Sequence, residues 1–176
     1  MTESRDAQHA STRVALLLAD VSAELVRRGV DDQALAELRR PRAFLGFRRA
    51  PVMAPVTRAW RLGVLLLERD GGLFATGSVT RAVAPLHANN QSESQEARRE
   101  IRRAAFDGPF REGEIVNYGW RRLSIDAEGL LAGQEPLALR GSEVLVRWAP
   151  GLGDQGLMPL DRYLADRMEL MGAREG

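Results

Sequence analysis

Arginine is the residue type whose spacing in this chain could do chemistry. Between Leu38 and Leu67 there is no Asp or Glu, yet Arg39, Arg40, Arg42, Arg48, Arg49, Arg58 and Arg61 all fall there, although the whole chain carries a formal charge of only +1. The remainder is therefore net acidic. Inside the acid-free stretch, Arg42-Ala43-Phe44-Leu45-Gly46-Phe47-Arg48-Arg49 interleaves phenylalanines with arginines. A guanidinium grips phosphate or carboxylate through a bidentate fork, and an aromatic ring stacks on a base, so the mixture suits an anionic ligand. The competing reading puts the phenylalanines in the core and pairs the arginines with internal acids such as Asp161, Asp166 and Glu169. A net charge of +1 gives little long-range steering toward a polyanion. Arg39, Arg40, Arg42, Arg48 and Arg49 sit near prolines that keep the chain at the surface, and they are the candidate anion-binding residues. The partners they imply are an acidic protein, a nucleotide or a nucleic acid.

Other chemistries are narrowed by what the chain lacks. All 25 basic residues are arginine and there is no cysteine. Schiff-base formation, a Walker-type phosphate loop, a Ser-Lys nucleophile, a thiol nucleophile and a thiolate metal site all require residues that are missing. His87, one of only two histidines, follows the central strands but has no Asp or Glu within five residues on either side. Gly77-Ser78 and Gly141-Ser142 do not complete the G-x-S-x-G elbow of serine hydrolases. Thr2 would become an N-terminal nucleophile after loss of Met1, but its neighbours are polar. No catalytic residue, metal site or cofactor motif is assigned.

The elements that would position these residues can be read from periodicity. Residues 1–10 are polar and read as a flexible tail. Ser11 or Thr12 would cap a helix carrying Val14, Leu17, Leu18, Val21 and Leu25, ended by Gly29. Asp31 or Asp32 would open a shorter helix through Leu35 and Leu38, stopped by Pro41. Arg58 to Arg69 reads as a strand, Asp70-Gly71-Gly72 as a tight turn, and Leu73 to Arg81 as the returning strand. Ser92 and Gln95 form a capping pattern for a helix from about Glu93 to Phe106, closed by Gly108-Pro109. Ala97, Ile101 and Ala104 or Ala105 give that helix one narrow apolar stripe. It also carries Arg98, Arg99, Arg102 and Arg103; Glu96 precedes Arg99 by three residues and Glu100 precedes Arg103 by three, so two of the four have candidate intrahelical partners. Ile115 to Ile125, Leu137 to Leu139 and Glu143 to Trp148 read as strands, and Asp161 would cap a closing helix bearing Leu164, Met168 and Met171. Trp60, Trp120 and Trp148 each neighbour an arginine, which in a strand puts tryptophan inward and arginine outward.

Arg40-Pro41-Arg42 through Leu45-Gly46, Ala59-Trp60-Arg61-Leu62-Gly63-Val64-Leu65-Leu66-Leu67, and Glu112-Gly113-Glu114-Ile115-Val116-Asn117-Tyr118-Gly119-Trp120 carry a resemblance. Over most of its length, from about Leu25 to Leu170, the chain resembles a family of short, uncharacterised bacterial proteins sometimes labelled glutaminase. The label implies amide hydrolysis. Serine-type glutaminases use Ser-x-x-Lys, asparaginase-like enzymes pair threonine with lysine, and amidotransferases use cysteine. A hydrolase built on this chain would need a hydroxyl nucleophile without lysine, or a carboxylate-activated water.

The expectation is a single α+β domain over residues 11–172. Its antiparallel sheet would be built around the hairpin at about 58–81, with N-terminal, middle and C-terminal helices packed on it. The start Met1-Thr2-Glu3-Ser4-Arg5-Asp6 lacks a signal-like charge and apolar run, and the absence of cysteine suits a reducing compartment, so the expected location is cytoplasmic with no membrane partner. The functional expectation is a non-enzymatic binding module presenting arginine to an acidic partner, with a hydrolase as the alternative. Homo-oligomerisation stays open, since Trp and Met on exposed faces would mark an interface.

Overall fold

The computed structural model describes residues 2–40, 50–84 and 93–172. In chain order these form α1 (Thr2–Arg27), β1 (Gln33–Arg39), β2 (Val52–Leu62), β3 (Leu65–Leu67), β4 (Leu73–Ala75), β5 (Ser78–Arg81), α2 (Glu93–Phe106), β6 (Ile115–Tyr118), β7 (Arg121–Leu123), α3 (Ala127–Ala132), β8 (Leu137–Arg140) and β9 (Glu143–Arg147). A 3-10 segment (Pro150–Gly156), β10 (Leu157–Pro159) and α4 (Leu160–Gly172) complete it. The class is α+β, with N-terminal, middle and C-terminal helices. No helix among the described residues is long and apolar enough to cross a membrane.

The chain groups into two compact units. The first comprises Met1–Asp31, Trp60–Thr76 and Arg121–Gly176, and the second comprises Asp32–Ala59 and Gly77–Trp120. Each has its own core. In the first unit, Val14, Leu18, Val21 and Leu25 of α1 pack with Trp60, Leu62, Leu65, Leu67, Val144, Val146, Tyr163 and Leu164. Its strands pair in the order β2-β3-β4-β7, using only Trp60–Leu62 of β2, and β10-β9-β8 form a separate antiparallel sheet. In the second unit the strand order is β5-β6-β1-β2, with residues 52–59 of β2 pairing β1. Its core is dominated by small side chains: Ala34, Ala36, Ala82, Ala104 and Ala105 with Met53 and Val116. Small residues let α2 lie close to its sheet.

Several expectations give way to tertiary context. Residues 2–10 are helical rather than a tail: Ala7 and Ala10 are fully buried, extending the stripe of Val14 and Leu18 by two turns. Thr12, expected to cap, sits mid-helix and turns its hydroxyl back onto the Gln8 carbonyl. Gln33–Arg39 is a strand, not a helix, because Ala34, Leu35 and Ala36 are all buried between β2 and β6. A central strand covered on both faces has no alternation to read. Its pairing with β6 is parallel, so the sheet is mixed, whereas β5–β6 and β1–β2 are antiparallel.

The expected hairpin is folded once more than predicted. Asp70-Gly71-Gly72 does make the turn, with the Glu68 N–H donating to Gly72 O at 2.8 Å and the Gly72 N–H to Asp70 Oδ1 at 3.1 Å. But the strand before it reverses at Gly63-Val64 to give β2 and β3, and the strand after it splits, β4 pairing β3 while β5 pairs β6. The stretch Ile115 to Ile125 likewise breaks at Gly119-Trp120 into β6 and β7. Asp126 caps the unanticipated α3, its carboxylate accepting from the Gly129 N–H at 2.7 Å. The tryptophan rule holds for Trp60, which is 0% exposed, and fails at Trp148, which lies just past β9 and is 41% exposed. There Arg147 is the more buried neighbour, held by Glu135 and the Gly153 carbonyl.

Candidate anion-binding cleft

Of the arginines singled out by sequence, Arg42, Arg48 and Arg49 lie outside the described residues, as do Phe44, Phe47 and His87. Arg39 ends β1, exposed, with Glu37 at 3.3 Å, and Arg40 is exposed beside it. Arg58 is neutralised internally. Its Nε donates to Asp32 Oδ1 at 2.5 Å and its Nη1 to Glu114 Oε1 at 2.6 Å, and the two carboxylate side chains are only 12% and 15% exposed. Arg61 is half-buried, and burial pulls its guanidinium below the usual value. Among the described members of the acid-free stretch, charge is therefore partly spent inside the fold.

The Arg58 pair carries a pH signature. Burial pushes the Glu114 carboxyl up, but the hydrogen bonds from Arg58 and from the Arg111 N–H outweigh it and leave it below the ordinary 4.5. Because its folded value is depressed, its contribution is complete above the unfolded carboxylate range and is lost as pH falls through the folded value. Arg58→Ala removes the Arg58 share of that depression and leaves burial opposed only by Arg111. The variant should be about 1–2 kcal/mol less stable than the parent near about pH 7, after allowance for solvent screening, with the gap closing toward about pH 4. Urea midpoints at both pH values check this, and a gap constant with pH would contradict it.

Among the described residues, a different set of arginines surrounds a cleft. In the second unit a cleft of about 760 Å³ is lined by Gly77, Ser78, Val79, Thr80 and Arg81 of the β5 segment, by Arg98, Ile101 and Arg102 of α2, and by Val83, Ile115 and Tyr118. Its floor is apolar and its rim cationic. Arg98 and Arg102 are one helical turn apart, flanking Ile101, which packs on the alanine-rich core. Among the described residues, Arg81 reaches a backbone carbonyl, that of Gly113, at 3.3 Å. Among the described residues the ion pairs of this unit include Arg39–Glu37, Arg58–Asp32, Arg58–Glu114 and Arg103–Asp107, and none involves Arg81, Arg98 or Arg102.

Two acids of α2 lie elsewhere. Glu96 and Glu100 line a separate shallow groove with Ala97, Arg99 and Arg103. Arg103 meets Asp107 at 2.6 Å rather than Glu100, because the helix end presents a closer carboxylate one turn on. In the sequence Arg98 and Arg102 are the two α2 arginines without a glutamate three residues earlier, although neither expected pair, Glu96–Arg99 or Glu100–Arg103, is among the ion pairs of the described residues. What the sequence did not show was that β5 would stand opposite them.

The entry of β5 into the cleft depends on Gly77. A Cβ there would lie 2.3 Å from the Gly119 carbonyl carbon and oxygen and 2.4 Å from Tyr118 O, all rigid backbone. The parallel contact behind it is short, and Asn117, fully buried, reinforces it by donating to Gln33 Oε1 at 3.0 Å and to Ala34 O at 3.3 Å. Trp120 Nε1–H donates to Ala36 O at 3.0 Å on the same strand. Together these hold β6, and through it β5, in place.

No family model matches the chain, and no curated protein or solved structure matches it. The chemistry of the cleft itself is what bears on function.

Proposed function

We propose that the chain is a non-enzymatic binding module whose second unit holds an acidic partner with apolar groups in the cleft between α2 and β5. One observation carries this: Arg81, Arg98 and Arg102 rim an apolar cleft with no carboxylate paired to them among the described residues. Guanidinium groups around a low-dielectric floor favour a carboxylate or phosphate, and the floor favours the hydrocarbon attached to it. The hydroxyls of Ser78 and Thr80 have no Asp, Glu or His beside them in the described lining, which supports holding an anion over attacking a carbonyl.

The test is retention on a carboxylate-bearing resin. The variant Arg98→Glu/Arg102→Glu should elute at clearly lower salt than a charge-matched control, Arg5→Glu/Arg162→Glu, whose positions are exposed in the first unit. Losing two charge-assisted contacts corresponds to about a hundredfold in affinity. Equal elution of the two variants would overturn the proposal, since both change net charge identically.

A further inference from the structure

We infer that the occupant of the cleft is an extended acidic peptide segment that joins β5 as an added strand, a reading that rests on the anion-binding proposal above. Five consecutive residues, Gly77 to Arg81, line the cleft. Successive side chains of a strand project to opposite faces, so a cavity touched by all of them lies along the strand's edge rather than over one face. In the strand order β5 is terminal, with β6 as its only partner among the described residues.

Hydrogen-bond parity shows which backbone groups look outward. Ala82 N–H donates to Glu114 O at 2.9 Å, continuing the register in which Ser78 faces Tyr118 and Thr80 faces Val116. In an antiparallel pair, alternate residues direct both N–H and C=O to the same neighbour. Ser78, Thr80 and Ala82 therefore bond toward β6, and Val79 and Arg81 turn their backbone groups toward the cleft. The Arg81 carbonyl is taken by the Val83 N–H at 2.9 Å, which leaves the Val79 N–H and C=O and the Arg81 N–H facing outward. Val79 as a residue is also 50% exposed. The outer side of residues 52–59 of β2 offers a poorer template, because it carries Pro55 and a register shift opposite Leu35/Ala36.

The charge spacing fits an alternating sequence. Thr80 stands opposite Val116, whose side chain is in the core with Ala104 and Ala105, so the Thr80 face of the strand is the α2 face. Side chains two apart on an added strand recur every ~6.6 Å, and Arg98 and Arg102 are separated by a helical rise of ~6 Å. Acidic residues at every second position would thus meet both arginines, while the intervening apolar residues run beside Val79. Main-chain bonds supply part of the affinity and the alternating side chains the specificity, as in other strand-addition sites.

The probe is an acetylated, amidated peptide of about seven residues alternating Val and Glu, ~23 Å when extended. Two N-methylated forms complete it, one methylated on the valine nitrogens and one on the glutamate nitrogens. If the peptide pairs antiparallel, the valine-methylated form should bind at least about tenfold more weakly and the glutamate-methylated form within about twofold of the parent peptide. Parallel addition exchanges the two forms. The Val79 amide should also gain hydrogen-exchange protection of about tenfold or more, while Thr80, already bonded to β6, stays unchanged. If both methylated forms bind like the parent, or both fail, strand addition is overturned. Arg98→Glu/Arg102→Glu separates the two levels: parent binding that this variant weakens at least about tenfold leaves the anion reading standing even when strand addition fails. No binding of the parent peptide, or binding indifferent to the variant, overturns both.

Discussion

Truncating Trp60 to alanine is expected to destabilise the first unit by about 3–5 kcal/mol, a large part of the 5–15 kcal/mol typical of a folded domain. Trp60 is the largest of the fully buried side chains and sits in one core with Leu18, Leu25, Leu65 and Leu164. Its Nε1–H donates to Val30 O at 2.8 Å, tying the chain just past α1 to the strand pair below it, and the Arg69 guanidinium lies 5.5 Å from its ring centroid. Three losses coincide on truncation: buried apolar area, a cavity that rigid strands cannot collapse into, and an orphaned carbonyl. Trp60→Phe separates them, keeping most of the volume while losing the hydrogen bond, and should cost nearer ~1–2 kcal/mol. Urea unfolding followed by far-UV circular dichroism measures both; a Trp60→Ala midpoint within error of the parent would show that the site can repack.

Gly63→Ala should be nearly as damaging, at about 3 kcal/mol, through strain and displacement together. Gly63 has φ +65° and begins the two-residue connection between β2 and β3. Such a turn wants a residue tolerant of positive φ at its first position. An added Cβ would also fall 2.2 Å from Tyr163 Oη. That hydroxyl is fixed: it accepts from the Val64 N–H at 2.8 Å and donates to Leu62 O at 2.9 Å, and burial raises the phenol's pKa so that it keeps its proton. The tyrosine thus satisfies both ends of the turn that the glycine makes. Tyr163→Phe alone should cost ~1–3 kcal/mol by leaving those two backbone groups unpaired. In the Tyr163→Phe background, Gly63→Ala should cost at least ~1 kcal/mol less than in the parent, because the atom it strikes is gone. Strict additivity in this cycle would mean that the phenol and the turn are not coupled.

The anion-binding reading and the strand-addition reading concern the second unit, and both stability variants lie in the first. Neither should move the exchange protection of Val79 unless the whole chain unfolds, which makes Gly63→Ala a useful marker of where the cooperative boundary falls.

How far the molecule can be read from its residues differs by element. Local chemistry determined α2, whose bounds Glu93–Phe106 follow from helix-forming residues and the Gly108-Pro109 stop, and the turn at Asp70-Gly71-Gly72, whose side-chain and backbone bonds close within five residues. Helical spacing likewise marked the faces of α1 and α4, because an amphipathic stripe repeats over several turns. Arg98 and Arg102 were distinguishable on α2 as the arginines lacking glutamate three residues earlier.

Only the tertiary structure decided the rest. Ala34-Leu35-Ala36 favours a helix by local propensity and becomes a strand because neighbours on both sides bury it and supply its hydrogen bonds. The same long-range pairing detached β5 from β4 and gave it to β6, which opened the cleft and turned the Val79 backbone outward. Strand pairing joins residues far apart in the chain, so its outcome depends on which partner wins rather than on any short window. Arg58 shows the same physics for charge: in sequence it belongs to a stretch without acids, yet Asp32 and Glu114 reach it across 26 and 56 residues and neutralise it. Charge counted along the chain could not anticipate that, because electrostatic pairing is set by distance in space.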